Sequence, residues 1–179
     1  EFDVVYNGET AHIKSGLYGE FNIENVLAVL TTLLALGDNL AEAALKVSQL
    51  KPVIGRLEYF GGNEKPAVFV DYAHTPDALE KLLLSIKKHN PDKIHLVFGC
   101  GGNRDKGKRP LMGAIAEKFA DNIIVTDDNP RFEEGEAIIA EILTGFQNPN
   151  KPVVIRDRAK AIQTAVSQAG QKDCVVIAG

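Results

Sequence analysis

The chain has 179 residues, of which 45% are hydrophobic and 25% charged, an ordinary balance for a globular protein of one domain, or one domain plus part of another. Its net charge of -4 argues against a nucleic-acid partner, which needs a basic face, but leaves room for small anions at local basic clusters. Two cysteines, Cys100 and Cys174, are too few for a disulfide framework, and their apolar neighbours predict buried, reduced thiols in a cytoplasmic protein. Residues 1–14 (EFDVVYNGETAHIK) hold two β-prone runs around Asn7-Gly8, a strong hairpin signal. Residues 22–36 carry apolar positions at helical spacing, and 40–50 predict a shorter helix ended by Pro52. The longest apolar run, 26–37, falls short of the about 20 residues a membrane span needs, so it predicts a core helix and no membrane insertion. No signal peptide is apparent at the start.

From Gly55 the pattern changes to alternation. Strands are expected at 67–72, 93–99, 122–127, 152–156 and 173–178. Between them, helices are expected at 75–89, capped by Thr75 with Pro76 at its first position, at 110–120, opened by Pro110, at 133–146, and at 157–169, capped by Asp157. Strands rich in Val and Ile without alternation are buried on both faces, and strand–helix alternation gives parallel pairing with right-handed crossovers. Residues 54–179 therefore predict an α/β domain, a Rossmann-like, doubly wound, mostly parallel sheet, and residues 1–53 the tail of a preceding domain. The start at Glu1 and the stop at Gly179 directly after CVVIA predict a piece excised from a longer protein.

In such a sheet ligands bind beyond the carboxyl ends of the strands. Three polar loops leave those ends: DYAHTPD (71–77), GCGGNRDKGKRP (99–110) and TDDNPR (126–131). The second has four glycines and four bases, Arg104, Lys106, Lys108 and Arg109, a composition suited to an anion. Its stretch from Gly102 reads G-x-x-x-x-G-K-R, but a P-loop needs Ser or Thr where Arg109 stands, so a P-loop is rejected. The plain alternative is a solvated loop. Asp71 and His74 flank the first strand end, where Asp71 suits a ribose or a metal-bound water and His74 a phosphate; the plain alternative for His74 is a turn cap. His12, His89 and His95 have no such context and are read as surface or packing residues. Nothing has zinc-ligand spacing, and no Ser-His-Asp or Cys-His set stands out.

The stretches "DYAHTPDALE", "GCGGNRDKGKRPLMGAIAE" and "TDDNPR", in this order, resemble the Mur ligase family, in its branch that adds meso-diaminopimelate. "GEFNIENVLAVL" resembles the stretch that closes that family's central ATPase domain. The resemblance covers essentially the whole chain. It implies a three-domain enzyme of peptidoglycan precursor synthesis, using ATP and Mg2+ to join an amino acid to a UDP-MurNAc-peptide through an acyl phosphate. The first domain, and the P-loop and magnesium ligands of the second, would lie outside this chain, which alone should not ligate.

By the same resemblance, Asp128, Asn129, Pro130 and Arg131 match the motif that recognises diaminopimelate, and Arg104 and Gly179 match positions touching that substrate. Asn22 and Asn25 match asparagines near the adenine, and Arg56, Asp71 and His74 positions around the nucleotide. No catalytic residue and no metal ligand is assigned. The rivals are a lysine-adding ligase of the family, which would lack Arg131, a folylpolyglutamate synthase, which D-N-P-R disfavours, and a non-catalytic nucleotide-binding module.

Overall fold

The computed structural model describes residues 1–62 and 64–179. They form two compact units, Glu1–Leu57 and Glu58–Gly179.

In the first unit, β1 (Phe2–Tyr6) and β2 (Glu9–Ile13) pair antiparallel. Asn7 and Gly8 both take positive φ, 50° and 85°, as a two-residue turn matching the strand twist requires. Helices α1 (Phe21–Ala35) and α2 (Leu40–Ser48) follow. Ile13, Val26, Leu30, Leu40, Ala43 and Val47 close a small core between the hairpin and the helices. Asn39 caps α2 by accepting from the Glu42 amide at 2.9 Å. The expected stop at Pro52 is wrong in detail: α2 ends at Ser48, where the Gln49 N–H turns back to the Lys46 carbonyl and the Leu50 N–H to that of Val47. A proline restricts only the residue before it, so it does not reach back that far. The unit runs on to Leu57, which is buried.

The second unit is one six-stranded sheet, in the order β3 (Glu58–Gly62), β4 (Lys65–Asp71), β8 (Cys174–Ala178), β5 (Ile94–Phe98), β6 (Asn122–Val125), β7 (Pro152–Val154). All neighbours are parallel except β3, which runs antiparallel to β4 at the edge. Strand β3 was not expected from the sequence. It holds two glycines, bulges between Phe60 and Gly62, and is half exposed, so it lacks the apolar run that marks the others. Strands β5 and β8, at the centre, are buried along their whole length.

Helices α3 (Pro76–Lys87), α4 (Lys108–Phe119) and α5 (Gly135–Leu143) connect strands that progress one way across the sheet. Right-handed crossovers put all three on one face, where α3 packs on α4 and α4 on α5. Helix α6 (Arg158–Gln168) returns the chain from β7 to β8, so it lies on the other face. There Ala161 and Ala165 pack on Val97, Ile124, Val175 and Ile177. Thr75 accepts from the Ala78 amide and Asp157 from the Lys160 amide, capping α3 and α6. Helix α4 starts two residues before Pro110, which fits because the first turn leaves its N–H groups free anyway. Helix α5 starts at Gly135 rather than 133, because Glu133 is held in the preceding turn.

Candidate functional site

Four adjacent strands, β4, β8, β5 and β6, point their carboxyl ends at one open cleft of about 800 Å³. Tyr72 and His74 line it after β4, residues 99–101 with Arg104, Asp105 and Lys108 after β5, Asp128, Asn129 and Arg131 after β6, and Gly179 after β8.

The loops after β5 and β6 are in direct contact. The Gly102 amide donates to the Asn129 carbonyl at 2.8 Å, and Arg131 Nη1 donates to the Gly102 carbonyl at 2.8 Å. A Cβ on Gly102 would sit 1.8 Å from the Pro130 carbonyl oxygen, so only glycine permits this approach there, while one on Gly101 would sit 2.7 Å from Arg131 Nη1 and displace the guanidinium. Arg131 has φ 53°, in the left-handed region that costs a non-glycine residue about 1 kcal/mol. The turn is held by Asn129, whose Oδ1 accepts from the Arg131 amide at 3.3 Å.

The charges in TDDNPR have separate fates. Asp127 is taken by Arg156, whose Nε and Nη2 reach its carboxylate at 3.0–3.3 Å. The Asp128 carboxylate and the Arg131 guanidinium both come near one point, the place a Gly101 Cβ would occupy, at 3.4 and 2.7 Å. Among the described residues they form no ion pair with each other or with any other side chain. Among the described residues only Nη1 of Arg131 is tied down, to the Gly102 and Asn129 carbonyls, which leaves Nε and Nη2 as donors.

The bases of the glycine-rich loop, read from sequence as one anion-binding set, divide. Arg109 is fully buried. Its Nη1 and Nη2 each donate to one oxygen of Glu133 at 3.0 Å, Nη1 also reaches Glu141 at 2.7 Å, and Nη2 the Gly101 carbonyl at 3.2 Å. Lys106 joins the same carboxylates, at 3.2 Å from Glu133. The Arg109 fork, together with the Asn103 amide, holds the Glu133 carboxyl down at about 2. Arg109 and Lys106 are thus spent on structure. Arg104 is exposed at the cleft with no partner among the described residues, and Lys108 lines the cleft while nearly buried.

The cleft brings together six of the residues expected from sequence: His74, Arg104, Asp128, Asn129, Arg131 and Gly179. Pro130 lines a small recess beside it, with Cys100, Asp127 and Ile138. His74 Nδ1 donates to the Tyr72 carbonyl at 2.9 Å, which leaves Nε2 as the available ring nitrogen. Asp71 turns its carboxylate onto the Ala73 amide at 2.8 Å and is not among the lining residues. Asn22, Asn25 and Arg56 belong to the first unit. There Asn22 Nδ2 donates to the Tyr18 carbonyl, and Asn25 Nδ2 to Asn22 Oδ1 at 2.9 Å. Sequence reasoning missed Tyr72 and Cys100 as lining residues; both directly neighbour residues it had singled out. Burial pushes the Cys100 thiol up to about 11 and that of Cys174 to about 12, so both stay protonated at neutral pH. His95, read as surface or packing, is buried with Nε2 3.1 Å from Asp173. Among the described residues no helix is long and apolar enough to cross a membrane.

The family model of the Mur ligase glutamate ligase domain matches residues 55–179. A UDP-N-acetylmuramoyl-L-alanyl-D-glutamate–2,6-diaminopimelate ligase of Xanthomonas campestris pv. campestris is 53% identical over 174 residues, 96% of this chain and 35% of that protein. A solved structure of a ligase with the same name is 39% identical with a TM-score of 0.68, over 99% of this chain and 36% of the other. A pseudomurein peptide ligase type C of Methanothermus fervidus shares the fold alone, at 18% identity and TM-score 0.76, over 99% of this chain and 37% of the other. The chain thus spans about a third of the length of these relatives. With the family model covering the whole six-stranded unit and its cleft, this chain belongs to the Mur ligase family.

Proposed function

We propose that this chain is the amino-acid-binding part of an ATP-dependent ligase of peptidoglycan precursor synthesis, one that adds meso-diaminopimelate to UDP-MurNAc-L-Ala-D-Glu. In this reading the sheet unit, from residue 54 on, binds the amino acid. Residues 1–53 are the tail of a central ATP-binding domain, with Asn22 and Asn25 near the adenine. The rest of that domain and a UDP-sugar domain are the partners in the same polypeptide.

The observation that carries the reading is the unpaired couple at the cleft. Asp128 and Arg131 hold opposite charges near one point without neutralising each other. A ligand end bearing both an ammonium and a carboxylate completes both. Arg131 offers a guanidinium face to the carboxylate, Asp128 accepts from the ammonium, and Asn129 can serve either. Arg104, free at the same cleft, adds a second cation, and Gly179 lets the backbone come close. Lysine lacks the distal carboxylate and would leave Arg131 unsatisfied. The 53% identity to a protein named for this activity supports the same choice.

The chemistry follows from the need to activate a carboxylate. An oxygen of the substrate carboxylate takes the γ-phosphoryl group of ATP, releasing ADP. The amine of the incoming amino acid then attacks the acyl carbon, phosphate leaves, and the amine loses a proton. The work of this chain is to hold that amine in line while the far end is gripped. His74 and Asp71, at the end of β4, stand on the nucleotide side of this scheme, and Arg56 is assigned there too. Magnesium is expected with ATP, but among the described residues no three His, Cys, Asp or Glu side chains converge to hold a metal, so no step is assigned to it here.

The test is ligation by the full-length protein with meso-diaminopimelate and with lysine. The reading expects diaminopimelate to be used strongly in preference. Equal use of the two, or no ATP-dependent amide formation with either, would sink it.

A further inference from the structure

Lys108 opens α4 and lines the cleft, yet only 9% of it is exposed. Among the described residues its Nζ has one partner, the carbonyl oxygen of His74, at 2.6 Å. A neutral carbonyl offsets part of what the ammonium loses in leaving water, but an ammonium has three donors and a full charge to satisfy. No carboxylate lies within ion-pair distance among the described residues, although Asp105 and Asp128 line the same cleft. The other bases of this loop solve the same problem differently. Arg109, fully buried, is forked onto Glu133 and Glu141. Lys106 pairs with the same two acids, and Arg104 stays in water. Lys108 alone of the four is both buried and without a counter-ion.

A buried cation lacking its anion, at the wall of a ligand cleft, is a site whose missing partner arrives with the ligand. We infer that Lys108 is an oxyanion-binding residue: its ammonium, anchored on the His74 carbonyl, takes a carboxylate or phosphate oxygen of a ligand in the cleft, at a subsite separate from Arg131. This rests on the cleft being a ligand site, as proposed above, but not on which amino acid it takes. One wall of the cleft then carries a cation between the loops after β4 and β5, the other the Asp128–Arg131 couple after β6.

The experiment is an NMR titration of this chain, with inorganic phosphate and with meso-diaminopimelate in separate arms, following the amides of His74, Lys108 and Arg131. Lys108→Gln keeps an N–H donor for the His74 carbonyl and removes the charge; Lys108→Arg keeps the charge. The wild type should show shifts at His74 and Lys108 with at least one ligand. Lys108→Gln should bind that ligand about tenfold more weakly, the loss of one charge-assisted hydrogen bond, and Lys108→Arg close to normally. Shifts with phosphate assign the subsite to a phosphoryl group, and shifts with diaminopimelate alone assign it to a carboxylate. Diaminopimelate shifts at Arg131 with none at Lys108 in either arm would leave the cleft reading intact and overturn this inference. So would Lys108→Gln binding like the wild type, since the lysine would then be only a tether for the His74 loop. No shift anywhere with either ligand overturns both. The wild-type arms decide the matter even if a variant fails to fold.

Discussion

Arg109 and Glu133 join the segments that follow β5 and β6, two guanidinium nitrogens each 3.0 Å from its own carboxylate oxygen. The pair ties the first turn of α4 to the turn that carries Arg131. Glu133 also accepts from the Asn103 amide, and Arg109 also donates to the Gly101 carbonyl. The two loops of the site are thus clamped by a buried ion pair behind them.

That clamp predicts an acid transition. The Glu133 carboxyl, held at about 2 by Arg109, is well below its ordinary value of 4.5. A depressed carboxyl contributes stability that is fully present above its unfolded value and is lost as pH falls through the folded one. The second unit should therefore lose stability between about pH 4.5 and 2. Glu133→Gln should be less stable at neutral pH and show a flatter decline over that window. Urea midpoints at several pH values measure this, and a variant with the wild-type slope would contradict it.

Specificity should reside in Arg131. In the full-length protein, Arg131→Ala leaves the distal carboxylate without its cation, a loss of roughly 2–5 kcal/mol for a buried charged pair. The preference for diaminopimelate over lysine should fall by about one to three orders of magnitude, with use of lysine changing far less. Arg131→Lys should rescue only partly, because an ammonium cannot form the fork. The measurement is kcat/KM for both amino acids. A ratio within about threefold of wild type would remove Arg131 from the recognition of the carboxylate.

Gly102→Ala should open the contact between the two loops. Its Cβ would fall 1.8 Å from the Pro130 oxygen, a backbone atom that cannot swing aside. Forced overpacking of this kind costs typically about 1–3 kcal/mol, and the shift would carry Arg131 with it. Diaminopimelate affinity should drop together with stability. Gly107→Ala is the control: its Cβ meets only the Asp105 carboxylate, at 3.2 Å, and its φ of -62° suits any residue. Equal behaviour of the two variants would show that the loop contact is immaterial.

Residues 1–57 should exchange their amide hydrogens faster than β5 and β8. The first unit is small, and Val5, Leu36, Leu45 and Ile54 are each more than half exposed. Strands β5 and β8 are buried throughout. Hydrogen exchange read by mass spectrometry checks the difference. Uniform protection along the chain would show that the first unit is as stable as the sheet.

The parts of this fold that were legible in the sequence are those written locally. Asn7-Gly8 announces its turn, Thr75-Pro76 and Asp157 their helix starts, and the mostly apolar runs of β5 and β8 their burial on both faces. The lining of the cleft was largely legible too, because it follows from loops at carboxyl ends of parallel strands. What stayed hidden depends on partners far apart in the chain. The loop bases look alike as letters, yet Arg109 meets acids 24 and 32 residues away and Lys108 meets a carbonyl 34 residues away. Glu133 reads as a helix opener until Arg109 claims it. Strand β3 reads as a loop because an edge strand needs only one partner and little apolar surface.

The place of β8 bears on how this chain comes to be folded. Strands β4 and β5 do not pair with each other; each pairs with β8, which is made after all the other strands. A nascent chain that has reached β7 can form only two partial sheets, β3–β4 and β5–β6–β7. Each would present a naked inner edge of unpaired amides and carbonyls. The insertion of residues 174–178 zips both edges at once and brings the four loops of the cleft within reach of one another. Assembly of the sheet is therefore a late event governed by distant contacts, slow by topology and vulnerable to association between chains until β8 is in place. Ribosomal pausing ahead of Cys174 would lengthen that exposure, whereas pausing within the first unit would not.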